Sequence, residues 1–461
     1  MLNRLLTGQS IYSKPDLVRD PVGQAIYRTS LPTTIGAVAM ILFYLADTWF
    51  VSQLGTRQLA ALGFTFPATI MLTYLGVGLG IGTSAVVARS IGANNHDKAV
   101  EMTYAAHAFG FLFGLLLILP AMATIDWVFT LMGASDETLV LIREFLSIWY
   151  LGIPLFLVQF AGTAVMRASG NSRLQGRLMM LGAAINAILD PIFIFGFGPV
   201  PAYGIKGAAI ATVITWFLAN IFIWYHLALR EQLLKIFWPG LNKLIKDWLL
   251  LMQIAFPAAL ANMITPLSTG IITATLATYG ASAVAAFGVV MRIEALVMIV
   301  PLGMSMSLPP FISQNYGANA FDRVRQGLLM SLKFVLGLQF VLYLVVALAA
   351  PLIATTFSEE QSVRDVIITI LRILPASYAF QAMVILSASS FNALHAPRNA
   401  LLTSLLRFVV FYVPLALLGA SIGGISGLFI GAAIGNLLAG VVITWWILRY
   451  TNSLDSRDAA A

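Results

Sequence analysis

Twelve apolar runs, near residues 30–53, 60–88, 100–124, 139–166, 176–197, 207–229, 249–279, 283–311, 327–350, 366–391, 399–419 and 425–448, take up most of the chain. A helix needs roughly 20 apolar residues to cross a bilayer, so each run is about long enough for one span. Inside lipid every backbone donor and acceptor must be paired within the protein, which predicts an all-α membrane protein with twelve transmembrane helices. Glycines and prolines inside the runs are compatible with this, because neighbouring helices re-satisfy the freed backbone groups. Only 10% of the residues are charged, against about 25% in a soluble domain. The net charge of +7 does not indicate nucleic acid, since the basic residues fall in short loops between runs. The absence of cysteine excludes a disulfide framework and thiolate metal sites.

The chain also repeats itself. A shift of 225 positions places Pro32 on Pro257, Gly55 on Gly280, Ala60-Ala61 on Ala285-Ala286, and Gly63 on Gly288. Without a gap it continues with Gly78 on Gly303, Gly92-Ala93-Asn94 on Gly317-Ala318-Asn319, and Asp97 on Asp322. Matched glycines and prolines repeat backbone demands rather than bulk composition. The expected organisation is an N-terminal arm (1–29), a first lobe of six helices (30–229), a linker (230–248), a second six-helix lobe (249–448) and a tail (449–461). Six helices per half let the second half enter the membrane in the same direction, as a parallel repeat.

Loop charge orients the spans. With an internal N-terminus, twenty Lys and Arg side chains fall on the inner side and five (Arg57, Arg143, Lys206, Arg364, Arg372) on the outer. Both termini are therefore expected in the cytoplasm. Residues 1–28 have no apolar core of the length a cleavable signal peptide requires. Leu2, Leu5, Leu6 and Ile11 fit a short helix on the lipid headgroups. The linker mixes lysines with Phe237, Trp238 and Trp248 around a Pro-Gly break. It reads as a segment lying on the inner headgroups, or alternatively as a calmodulin-like target.

Few ionisable groups lie inside the spans. Asp47 is the one in Leu31–Gly55, a stretch with Pro32 near its start. A carboxylate at that depth marks a pathway or relay by default; the plainer alternative places it near the outer interface of an ordinary helix. In the fifth run Asn186 and Asp190 stand four apart, on one helix face, with Pro191 next in line. Asp47, Asn186 and Asp190 together offer hard oxygen ligands for Na+, or a carboxyl that carries a proton, because burial disfavours the charged form. The alternative is two unrelated carboxylates capping helices near the outer face. In the eighth run Arg292 and Glu294, two apart, point different ways and each needs its own partner. They fit a structural ion pair or loop anchor, or a role in coupling. Gln159, Thr163, Thr212 and Thr215, with Asn262, Gln381 and Asn392, either hold helices together or line a cavity. The 17 Met and 29 Phe suit both a surface for apolar ligands and contact with lipid. The position matched to Asp47 is Ile272, so the backbone is duplicated and the charge is not.

Enzyme signatures are missing: there is no HExxH, no Walker-type loop and no GxSxG elbow. An intramembrane enzyme is the weakest alternative.

Several segments resemble the multidrug and toxic compound extrusion (MATE) transporters over roughly residues 25–450. They are Pro32 and Asp47 ahead of Gly55, TSAVVARSIGAN at 83–94, MRASGNSRLQ at 166–175, INAILDPIFIFG at 185–196, GIKGAAIATVIT at 204–215 and SQNYGAN at 313–319. The resemblance implies two pseudo-symmetric six-helix lobes around a central cleft that opens to each side in turn. It implies export of amphipathic, often cationic, organic compounds in exchange for H+ or Na+, with no other cofactor. One branch of that family keeps its essential carboxylate on the seventh and tenth helices, which here carry none. Asp47, Asn186 and Asp190 are instead similar to the DinF branch, where protonation bends the first helix at the residue matching Pro32. The expectation is a monomeric antiporter in a bacterial or archaeal cytoplasmic membrane. Its alternative within the superfamily is a flippase for lipids or lipid-linked oligosaccharides. Such proteins tend to line the cleft with Arg and Lys matched to a pyrophosphate, whereas here only Arg292 and Arg407 come into question.

Overall fold

A computed structural model describes residues 15–454, apart from the side chain of Met40. The surface helix expected around Leu2, Leu5, Leu6 and Ile11, and the tail beyond Leu454, lie outside the described residues. The chain is all-α, in the order α1 (Val22–Ser52), α2 (Thr56–Gly92), α3 (His96–Leu131), α4 (Asp136–Leu151), α5 (Ile153–Ala168), α6 (Ser172–Phe195) and α7 (Ile205–Tyr225). There follow α8 (Leu241–Ala277), α9 (Ala281–Val297), α10 (Ile299–Gly317), α11 (Phe321–Phe357), α12 (Gln361–Ile373), α13 (Tyr378–Ala393), α14 (Pro397–Leu405) and α15 (Val413–Asn452). Two π-helical turns, His226–Arg230 and Leu406–Tyr412, follow α7 and α14.

Among the described residues nine helical segments are long and apolar enough to cross a membrane. Two bent pairs, α4 with α5 (49°) and α9 with α10 (44°), raise this to eleven. The chain is thus a multi-span membrane protein. The count differs from the twelve runs because no loop separates the last two. Pro397–Asn452 runs on as a single segment of 56 residues, interrupted only by non-helical dihedrals at Gly423 and Gly424. Apolar runs also understate helix ends. α1 begins at Val22, where the sequence placed an arm, and its first turns are tied back by an Arg28–Asp20 ion pair at 3.9 Å. Of the expected linker, 241–248 forms the first turns of α8; the remainder exposes Ile236 and Trp238.

The repeat is visible in backbone geometry. Gly55 and Gly280 both take positive φ (125° and 105°), as do Asn94 and Asn319 (55° and 56°). Gly92 and Gly317 make a reciprocal contact. A Cβ on Gly92 would collide with the carbonyl of Gln314, and one on Gly317 with the carbonyl of Arg89. Arg89 and Gln314 are themselves a 225-step pair, so the contact maps onto itself under the repeat. A second echo sits at the break in α15. Gly424 (φ 59°, ψ −141°) copies Gly204 (φ 57°, ψ −134°), the residue that opens α7.

The described residues group into two compact units. The first comprises residues up to Thr65, Val86–Trp238 and Ser313–Ala320. Its α4, α5 and α7 meet around Trp149, Phe156 and Trp216, whose ring centroids lie 4.8–5.7 Å apart. Gly152, at the bend between α4 and α5, leaves room for this: a Cβ there would be 2.7 Å from Val213 Cγ2. The second unit comprises Phe66–Ala85, Pro239–Ile312 and residues from Phe321 onward. There the middle of α2 lies close along α8, with Gly82 placed so that a Cβ would be 2.9 Å from the Leu251 carbonyl. Val384, Ala439 and Ile443 form a buried cluster between α13 and α15. Close approach at glycine supplies the van der Waals contact that membrane helices depend on.

Candidate functional site

In the first unit α1 packs along α6. Gly36 of α1 faces Met179, where a Cβ would be 2.8 Å from Sδ, and Gly176 of α6 sits directly against the carbonyl of Pro32. These small residues hold the two helices together around the proline. α1 nevertheless continues as one helix through Pro32.

Further along the same pair lie Asp47 on α1 and Asn186 and Asp190 on α6. Asn186 and Asp190 have no exposed surface, and the Asn186 amide donates to Asp190 Oδ1 at 3.2 Å. Asp47 lies within electrostatic reach of Asp190. What remains is a surplus of acceptors. Asp47 Oδ1, Asn186 Oδ1 and Asp190 Oδ2 are all buried and make no hydrogen bond. A buried acceptor left unmade costs about 1–3 kcal/mol. A carboxylate can only accept, whereas its protonated form donates. The arrangement is therefore completed by what it lacks, a proton or a hard cation.

The other residues singled out in the sequence are placed as follows. Gln159 on α5 has its side-chain Oε1 buried and unpartnered. Thr163 and Thr215 donate to carbonyls of their own helices, Gln159 at 2.9 Å and Ala211 at 2.8 Å. Thr212 is buried. Arg292 is exposed on α9, and no ion pair joins it to Glu294. Glu294 instead accepts from Gln381 Nε2 at 2.7 Å and from the Tyr378 hydroxyl at 3.3 Å. Among the described residues no group of three or more His, Cys, Asp or Glu side chains converges as a metal site.

Sequence reasoning missed a second polar cluster, in the second unit. Arg407, 7% exposed, is the second residue of the π-helical turn and donates from Nε to Asn436 Oδ1 at 3.1 Å. Asn436 donates in turn to Ser377 Oγ at 3.1 Å. The guanidinium lies over the Phe408 ring, 4.4 Å from its centroid, and within electrostatic reach of Glu294 and Tyr412. No periodicity announces a cluster drawn from five elements.

Polar clusters buried inside a multi-span helical fold mark candidate ion or substrate sites, and its family makes this chain a membrane transporter. The chain belongs to the MatE family, which matches residues 32–192 and 257–418, two segments that begin at the same 225-residue step. It is 39% identical over 445 residues to a Shewanella oneidensis protein named FAD transporter, covering 96% of this chain and 98% of that one. It is 34% identical to the Vibrio cholerae MATE transporter VcmN solved in the bent form, with a TM-score of 0.89, over 94% of this chain and 98% of that one. The multidrug export protein MepA of Staphylococcus aureus is 24% identical over 95% of this chain and 97% of its own length.

Proposed function

We propose that the protein is an H+- and/or Na+-coupled antiporter that exports amphipathic organic compounds by alternating access, with Asp47, Asn186 and Asp190 as its cation site. The observation that carries this reading is the set of three buried acceptor oxygens without a donor. Binding a cation there satisfies them. A ligand shifts a conformation only by its differential affinity for two states, and Pro32 is the natural place for the two states to differ. A proline gives no backbone hydrogen bond, so the helix bends there at lower cost. These features support a DinF-like mechanism in which α1 straightens and bends.

Twelve spans in two six-helix lobes complete the proposal. In its favour, 56 helical residues at about 1.5 Å each far exceed one bilayer, and Gly424 repeats the dihedrals that open α7. Both termini are placed in the cytoplasm of a bacterial cell. Cysteines at Ser135, Ser282 and Ser421 should then react with an impermeant thiol reagent from outside, and one at Asn95 should not; labelling of Asn95 in intact cells overturns the orientation.

The 39% relative favours a second reading of the cargo, flavin adenine dinucleotide, over lipids or lipid-linked oligosaccharides, for which Arg292 and Arg407 are the basic residues that come into question. Efflux from proteoliposomes, with a pH gradient and a Na+ gradient applied separately, tests the coupling. Export driven by neither gradient contradicts it.

A further inference from the structure

The first unit accounts for the cation; the cluster around Arg407 has no part in that. A charged side chain inside a span is costly and functional by default. Burying a guanidinium is tolerable where its donors are met and a counter-charge is near. Here that provision is only half made. Nε is held by Asn436, itself fixed by Ser377, and one face of the planar group rests on Phe408. The two terminal nitrogens make no hydrogen bond among the described residues, and no carboxylate pairs with the group. Glu294 is near enough to offset the charge but makes no ion pair with it; its two oxygens accept from Tyr378 and Gln381.

The backbone adds a second observation. Arg407 is the second residue of a seven-residue π-helical turn, Leu406–Tyr412, a rare geometry that is frequent at functional sites. It carries Arg407, Phe408 and Tyr412 together. Glu294 and Tyr412 are only partly buried, so the cluster borders accessible surface. A guanidinium fixed at Nε and on one face, with two parallel donors left over, is the fork that grips two oxygens of one phosphate. The aromatic rings beside it suit a flat heterocycle.

We infer that Arg407 is the phosphate-binding residue of the exported molecule, and that the second unit thereby selects phosphorylated flavins, FAD and FMN, over riboflavin. This rests on the flavin reading of the cargo given above. Glu294 acts as the opposing charge: it balances Arg407 when no phosphate is present and repels a phosphate when one arrives. Two substitutions should therefore move affinity in opposite directions, which a purely structural network does not predict.

The test is binding of FAD, FMN and riboflavin to the purified full chain, read by flavin fluorescence anisotropy. The wild type should bind FAD and FMN more tightly than riboflavin. Arg407→Gln should weaken FAD and FMN by about tenfold or more, the loss expected for a hydrogen bond to a charged group, and leave riboflavin unchanged. Arg407→Lys, which keeps the charge without the fork, should fall between. Glu294→Gln should tighten FAD and FMN and leave riboflavin unchanged. Should the arginine variants not fold, inorganic pyrophosphate added to the wild type should displace FAD but not riboflavin. Equal affinity of the wild type for riboflavin and FAD, a parallel loss of all three ligands in Arg407→Gln, or weaker FAD binding in Glu294→Gln overturns the inference while the flavin reading stands. A wild type that binds no flavin removes the cargo reading, and the inference with it.

Discussion

The two repeats share a backbone and divide the chemistry. Gly55 and Gly280, Asn94 and Asn319, and Gly92 and Gly317 hold the same conformations or contacts at the same step. Yet where the first repeat has Asp47, the second has Ile272, fully buried. Where the first unit gathers acceptor oxygens, the second gathers a cation, its counter-charge and four hydrogen-bonding partners, Asn436, Ser377, Tyr378 and Gln381. Duplication fixed the positions of turns and helix crossings, which tolerate little change in side-chain volume or φ. The polar positions were free to diverge, and they diverged to opposite sign.

The strongest way to sharpen this contrast is at Asp47. Asp47→Asn keeps the shape but cannot cycle a proton, and coupled efflux should fall to the uncoupled background. Membrane expression should stay normal. Ile272→Asp in the same background should not rescue transport, because the second repeat offers no equivalent of Asn186 and Asp190. Recovery would mean that the two repeats are interchangeable.

The shared backbone makes a prediction of its own. Gly92→Leu and Gly317→Leu should each cost about 1–3 kcal/mol through overpacking, with similar losses of thermal stability in detergent because their contacts mirror each other. A large loss at only one of the two breaks the reciprocity. Smaller effects are expected at the matched prolines. Pro32→Ala should leave cation binding intact and weaken coupling by about 0.5–2 kcal/mol, whereas Pro257→Ala should leave coupling unchanged; equal effects in efflux assays would refute a special role for α1. Thr215→Val should change efflux least, within about 0.5 kcal/mol, since the hydroxyl bonds only to its own helix. A larger loss would place Thr215 on the transport path.

Much of this was legible in the chain. The repeat was, because glycine and proline record demands that no other residue meets. So was the Asn186–Asp190 bond, because a four-residue spacing on a helix brings side chains together without help from the rest of the fold. The runs 399–419 and 425–448 bracket the break in α15 at Gly423 and Gly424, but hydropathy does not tell a kink from a loop. The signal for the kink was local instead: Gly424-Ile425-Ser426-Gly427 echoes Gly204-Ile205-Lys206-Gly207. Glu294 and Gln381 were each singled out but not their bond, nor Tyr378, because these partners stand 84 and 87 residues from Glu294 in sequence. Arg407 was noted only as a basic residue inside a span. Its bond to Asn436 depends on how α15 folds back, and no spacing rule reports that.

The central claim, that the first repeat carries the coupling cation, is tested most directly by counting protons and sodium ions moved with cargo. Purified protein in proteoliposomes is given an outward cargo gradient, and internal pH and Na+ are followed with trapped dyes. The account predicts that cargo movement drives a counterflow of H+ or Na+ in the wild type and in Ile272→Asp, and none in Asp47→Asn. Undiminished counterflow in Asp47→Asn would contradict it.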